Sequence, residues 1–488
     1  LWLLREGGLQ FEICNLKIEM KKFVIIAVMF GLSACSAAFA QIVYSADTVV
    51  GPIEMSKANG PMSIDLATAL RLANANNHTV ALARERMNEA VAQCQRANAM
   101  LLPTITLGAS VDHHEGGIQE TSGTIRDINR SSGFAGLGAG ATGAGPIQVP
   151  GVGITANLAD AFFEPLAAKQ SKLAAEAGSA AATNRVSLQV ATAYFELVRA
   201  KARLAIATEA QLNAADLARV TASFAKSGQG LESDASRAEV EKLVRDGKVE
   251  QARENYRIRS IELAELLRLD GGTQLYPTED AAALISLADE SASGSELLLA
   301  ALENRPEVRQ NEALVKAAKQ RLKQAKYDPF VPKVSVGFSA GGFGGGGGTS
   351  LGSENDRHDV SALVFWQLDN LGFGARARTK EQKSRFKQAE IEQLRVLDRI
   401  ASEVREARIR AESRKRQLAI AAAAVKRARS SLELNKSRIY ESQGLPIEVL
   451  QAIGSLALTR ELVLDSAVEF NQAQFRLYTA IGQPGKAE

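Results

Sequence analysis

Asp112, His113, His114 and Glu115 stand in a row, and these are residue types that hold metals. They end a segment, PTITLGASVDHH, in which apolar residues recur at every second position. Adjacent side chains on a strand point to opposite faces, so the two histidines cannot share one ion and read as a surface pair beside a loop. His78 and His358 stand alone. The run GGFGGGGGTS from 341 has the glycines of a phosphate cradle. It has no Lys-Ser or Lys-Thr pair and no helix behind it, so it reads as a flexible outer loop. Cys14, Cys35 and Cys94 are too few for a disulfide framework or a thiolate metal site, and Cys94 reads as a small buried residue on a helix. No Ser-His-Asp set or paired carboxylates emerge, so the reading is not an enzyme, with no cofactor and no metal.

The elements that would carry these residues are unusual. Of 488 residues, 46% are hydrophobic but only 5% aromatic, which suits long helices packed through small side chains better than a thick globular core. The net charge of +3, from 58 basic and 55 acidic residues, gives no electrostatic case for nucleic acid. MKKFVIIAVMFGLSACSAAFAQ, from Met20, has the basic start, short apolar run and small-residue exit of a secretory signal, spanning 20–40. Residues 1–19 read as a non-native upstream extension. A second reading ends the signal at 34: LSAC resembles a bacterial lipobox and would leave a lipid on Cys35. No later segment reaches the ~20 apolar residues of a helical span.

The chain is a duplication. SGQGLESD at 227–234 and ESQGLPIE at 441–448 lie 214 residues apart, and LAIA at 204–207 meets LAIA at 418–421 at the same shift. Upstream the better shift is 228, which places Val80 on Val308. The difference of 14 residues is expected in glycine-rich loops, the longer at 114–150 and the shorter at 341–357. Each copy reads as a helix (64–101, then 295–327), a strand (from Pro103, then from Pro332) and a second strand, GVGITANLADA or DVSALVFWQLD. A very long helix follows (166–227, then 376–442), and a shorter one returns (232–268, then 446–481). The tag between them is a turn: Gly228, Gly230 and Gly444 supply permissive backbone, and Pro446 suits the first helical position. The repeats span 63–270 and 295–482, joined by a linker at 271–294.

Four amphipathic strands cannot close a membrane barrel alone, since such barrels begin at about 8 strands. Three copies would supply 12. Alanine-rich helices charged on two faces suit the wall of a water-filled tube.

The duplicated order, with ALENRPEV at 301–308, the junctions ADAFFEPLAAKQ and DNLGFGARARTKEQ, and the hairpin RIYESQGLPIEVLQA at 438–452, resembles the TolC-type outer membrane factor family over about 63–482. The resemblance implies a mainly α chain with membrane β: a homotrimeric α-barrel tunnel plus a 12-stranded β-barrel in outer-membrane lipid, four strands per chain, with a mixed equatorial region near the linker. It implies the channel-tunnel of a tripartite efflux or type I secretion system, passing substrates across periplasm and outer membrane from an inner-membrane pump and its periplasmic adaptor. Docking on the adaptor falls to Gly230, Leu231, Gly444 and Leu445. A gate near the periplasmic tip falls to Glu448 and Gln451, with Asp234 as the first-copy counterpart of Glu448. The family's second gate carboxylate is Gln451 here, and an acid in a helix's first turn also serves the helix dipole. The alternative function is a periplasmic adaptor, which would show one hairpin flanked by split β-domains.

Overall fold

A computed structural model describes residues 62–483, apart from 144, 271, 281–282, 288–291 and 442. The upstream extension, the signal and Cys35 lie outside the described residues. The first copy runs β1 (Met62–Ile64), α1 (Leu66–Asn76), α2 (His78–Asn98), β2 (Thr104–Ile105), β3 (Leu107–Gln119), β4 (Ile125–Ala139), β5 (Val149–Pro150), β6 (Val152–Asn157), α3 (Leu158–Lys226) and α4 (Glu232–Leu267). β7 (Leu275–Pro277) follows. The second copy runs α5 (Gly294–Asn304), α6 (Pro306–Tyr327), β8 (Lys333–Gly347), β9 (Asn355–Phe365), α7 (Phe373–Tyr440) and α8 (Pro446–Ala480). The chain forms two units: a β unit, described over 101–158 and 331–367, and a helical unit.

In the helical unit, α3 and α7 hold 69 and 68 residues, which at 1.5 Å per residue makes each roughly 100 Å long. α3 begins earlier than the alanine-rich pattern suggests and carries Pro165 inside it. The first helix of each copy, expected to be continuous, is broken in both. Asn77 is extended (φ −68°, ψ 127°), gives its N–H to the Ala73 carbonyl at 2.9 Å, and caps α2 by accepting the Thr79 N–H at 2.9 Å. Arg305, its repeat mate, has the same φ and ψ, and Pro306 opens α6. Proline explains the second break. In the first, an asparagine side chain replaces the lost helical bond and also donates to the Leu266 carbonyl at 3.0 Å.

The largest buried cluster gathers α1, α3 and α4 around the short strands: Ile64, Tyr194, Leu197, Leu263, Leu267 and Leu275 are nearly or fully buried. Each contributes ~1.5–3 kcal/mol of burial. β1 and β7 pair in parallel, tying the start of the first copy to the linker. Tyr256 donates to the Leu275 carbonyl at 2.7 Å, and Lys201 donates to the Pro277 carbonyl at 2.9 Å while lying over the Tyr276 ring.

The β unit is a sheet of four staves, all neighbours antiparallel. The first stave is β2 with β3, the second β4 with β6, the third β8 and the fourth β9. The four strands per chain thus stand, but the region 114–150 is not an outer loop. Its alternation is blurred by glycine, yet β4 fills it and pairs with both β3 and β8. The first seven residues of GGFGGGGGTS are likewise the end of β8. Among the described residues, β3 bonds along its length only to β4, and β9 only to β8, so the sheet has two open edges.

Candidate functional site

Two features carry chemistry: the hairpin tips and the two faces of the sheet. At the tips the two turns are built alike. The Gln229 N–H donates to the Phe224 carbonyl at 3.0 Å, and the Gln443 N–H to the Arg438 carbonyl at 2.8 Å, the same bond one repeat apart. Among the described residues of the two turns, only Gly228 uses a positive φ, +75°. Gly230 and Gly444 keep ordinary backbone angles and serve close approach instead: a Cβ on either would lie 3.1 Å from the Cβ of Phe224 or Arg438. This corrects the expectation that all three supply unusual backbone. Leu231 and Leu445 occupy the N-cap positions in extended conformation, with 68% and 61% of their surface exposed. An apolar side chain at a cap makes no capping bond, so neither leucine stabilises its helix start through its side chain.

Asp234 and Glu448 lie in the first turns of α4 and α8, as the alternative to a gate expects. Glu448 pairs with Arg438 at 3.3 Å and receives the Leu445 N–H at 3.5 Å, while Asp234 meets Arg237 at 3.5 Å. Each carboxylate therefore has a cation beside it. Gln451 is exposed.

The structure adds a cluster that sequence reasoning missed. Near the tips, the Tyr440 hydroxyl on α7 donates to Asp216 on α3 at 2.7 Å. Arg219 holds the other carboxylate oxygen at 2.7 Å, and Lys436 donates to Asn213 at 2.6 Å. The Tyr440 bond, then Arg219, holds the Asp216 carboxyl below the usual range, and the same bond raises Tyr440. Below these polar contacts Leu217, Ala218, Ala238, Leu432, Ile439, Val449 and Ile453 pack into one cluster from all four helices. The cluster joins different positions of the two copies, so a repeat comparison gives no signal for it.

On the sheet, register gathers the alternating apolar stripes on one face, while Leu363 and Phe365 of β9 fall on the other, opposite Ser335 and Lys333. Val334, Val336 and Phe338 of β8 oppose Ala156, Ile154 and Val152 of β6, and on the other side Val364, Ala362 and Val360 of β9. Ile105, Leu107, Val111, Val336, Phe338 and Val364 are exposed there, and Val360 is 80% exposed. The opposite face carries Ser110 and Asp112 of β3, Arg130 and Ser132 of β4, Ser335 and Ser339 of β8, and Arg357 and Asp359 of β9. The junctions between strands and helices add exposed aromatics: Phe162, Tyr327, Phe330, Trp366 and Phe373.

His113 bonds Ser131 at 2.9 Å, and among the described residues no group of three or more His, Cys, Asp or Glu could hold a metal. Cys94 is half-buried rather than buried. No described helix is long and apolar enough to cross a membrane.

Residues 297–483 match the family model of outer membrane efflux proteins. A search of curated proteins finds no match. Among solved structures, the outer-membrane channel OprN is similar at 20% identity, covering 86% of this chain and 89% of that one, with a TM-score of 0.71. VceC of Vibrio cholerae, an outer membrane protein, is similar at 18% identity over 86% and 96%, with a TM-score of 0.69. The CmeC outer membrane channel of Campylobacter jejuni follows at 17% identity over 86% and 85%, with a TM-score of 0.70. Identities this low speak for the fold. The second half of this chain therefore carries the sequence pattern of the outer membrane efflux protein family, and the described chain carries the fold of solved outer-membrane channels.

Proposed function

We propose that the chain is one subunit of a trimeric outer-membrane channel-tunnel serving a tripartite efflux or type I secretion system. The observation that carries this is the sheet: one face carries the exposed apolar stripes, the other most of the serines and the Arg357–Asp359 pair, and two edges are open. In lipid an open edge leaves backbone groups unsatisfied, so sister copies must close the wall. The apolar face then meets the hydrocarbon and the polar face lines water. The exposed junction aromatics suit the headgroup level, where such rings concentrate. The long helices form the periplasmic tunnel, and the tips at Gly230, Leu231, Gly444 and Leu445 dock a periplasmic adaptor of an inner-membrane pump. Asp234, Glu448 and Gln451 sit near the tip aperture. The adaptor alternative needs a single hairpin between split β-domains. Two hairpins in tandem with a four-stave sheet speak against it.

The test is assembly and conduction. The protein should fractionate with the outer membrane, run as a heat-dissociable trimer, and open pores in planar bilayers. A soluble periplasmic monomer with no conductance would overturn the reading. A lipid on Cys35 would add an anchor: labelled palmitate should enter the wild type but not Cys35→Ala, and equal labelling would remove that residue as the anchor.

A further inference from the structure

The second stave is interrupted. β4 follows β8 down to the pair Leu137 and Ala340, and β6 resumes at Val152 opposite Phe338. Residues 138–151, of which 144 lies outside the described residues, leave the wall opposite the single residue Ser339. These fourteen residues account for the length difference between the two copies, because the distal turns at 120–124 and 348–354 are both short. The second copy has no such excursion, since β8 and β9 pair without a break from Lys333 to Phe343.

The neck of the excursion is stapled on both sides. The Thr106 N–H donates to the Gly151 carbonyl at 2.6 Å, and the Thr106 carbonyl accepts from the Gly138 N–H at 3.0 Å. From the third stave, the buried Ser339 hydroxyl accepts the Gly151 N–H at 3.1 Å. Gly138 and Ala139 pair with Pro150 and Val149, so the excursion starts as a small hairpin. Gly151 is required: a Cβ there would lie 2.3 Å from the Leu137 carbonyl carbon.

Beyond the neck the segment folds back onto the sheet. The Ser110 hydroxyl accepts the Gly140 and Ala141 N–H groups, each at 3.1 Å. Arg357 donates to the Gly143 carbonyl at 3.0 Å and to the Gly145 carbonyl. Its guanidinium is fixed by Asp359 at 2.7 Å and lies over the Phe343 ring. Ala141 and Ile147 are buried against Phe134 and Phe343. Ser110, Phe134, Phe343 and Arg357 are register partners or near neighbours, and all belong to the polar face. The excursion therefore covers the water-facing side and leaves the apolar side bare.

We infer that residues 138–151 form a fixed constriction inside the β-barrel, one from each subunit, that sets the largest solute able to pass its distal half. The inference rests on the channel reading above, which makes the polar face the lumen. The staples and the small buried cluster make the narrowing a built part of the wall, and pore width is one of the terms that set what passes.

The test places one cysteine below the excursion. Ser335 lies on the polar face toward the end where the chain enters the sheet, beside Thr155 at 3.0 Å. In the full-length protein with Cys94→Ser, Ser335→Cys is labelled on whole cells with maleimide-polyethylene glycols of increasing size, and Val360→Cys serves as the apolar-face control. With the excursion intact, only small reagents should reach position 335. Replacing 140–148 by two glycines, which keeps the neck, should admit reagents several-fold larger in mass. Pro146→Trp, at the exposed apex, should lower the limit instead and covers the case in which the shortened chain fails to assemble. An unchanged size limit in both variants, with position 335 still labelled, would overturn the constriction and leave the channel standing. Labelling of position 360 but not 335 by even the smallest reagent would overturn the channel reading itself.

Discussion

Removing one hydroxyl, by Tyr440→Phe, tests how the tips hold together. Tyr440 and Asp216 join α7 to α3 through a 2.7 Å bond to a charged acceptor. A hydrogen bond to a charged group contributes about 1.5–3 kcal/mol when sheltered. Tyr440 is 54% exposed and the Asp216 side chain 32%, so water competes, and about 1 kcal/mol remains. The tip helices should then open locally about five-fold more often. Amide hydrogen exchange over 213–220 and 432–440 of the full-length protein, corrected for intrinsic rates, reads this directly. Asp216→Asn should give a similar increase, and the double variant little more than the larger single effect. The pH dependence follows from the directions of the shifts. The Asp216 carboxyl is depressed, chiefly by Tyr440 and then by Arg219. Its contribution is therefore complete above the ordinary carboxylate value of about 3.9 and fades as pH falls through the lowered one. Tyr440 is raised by the same bond, so its contribution is complete below about pH 10 and is lost as pH rises through the raised value. The advantage of wild type over Tyr440→Phe should thus be constant from pH 5 to 8. Identical exchange in the two proteins, or an advantage that vanishes inside that range, would refute the reasoning.

Gly228→Ala forces a side chain into the positive-φ region and should destabilise the first turn by about 1–2 kcal/mol, seen as faster proteolytic nicking there. Gly444→Val crowds Arg438 and Ile439 and should cost about 1–3 kcal/mol locally, measured by the same exchange experiment. Leu231→Ala with Leu445→Ala removes exposed apolar surface and adds no capping oxygen, so thermal stability should hold while capture of the purified adaptor weakens several-fold. Leu263→Ala, fully buried between α4 and its neighbours, should cost about 2–5 kcal/mol and lower the melting midpoint.

Much of this architecture is legible in the residues because it is written twice. The tip turns, the long helices and the strand stripes each recur, and register then lays Val334, Val336 and Phe338 beside Val152 and Ile154 as the alternation requires. What escaped reading has no repeat or no punctuation. The break at Asn77 lacks proline, and a capping side chain does its work invisibly inside an otherwise helical run. The excursion at 138–151 is glycine-rich and was expected at the outer turn, because composition marks an irregular segment without saying which way it folds. Ser339 and Arg357, which hold it, look like ordinary strand residues until the pairing is known. Asp216 and Tyr440 meet across unlike positions of the two copies.

The unlike margins of the sheet, β3 on one side and β9 on the other, carry a genetic consequence. In the proposed trimer, neighbours would join head to tail, so each seam would consume one margin of each kind. A variant spoiled only at β9 can still offer its sound β3 to a healthy sibling, enter the ring, and leave one seam unsewn. Such alleles would poison a mixed population of subunits, whereas a null allele would merely thin it.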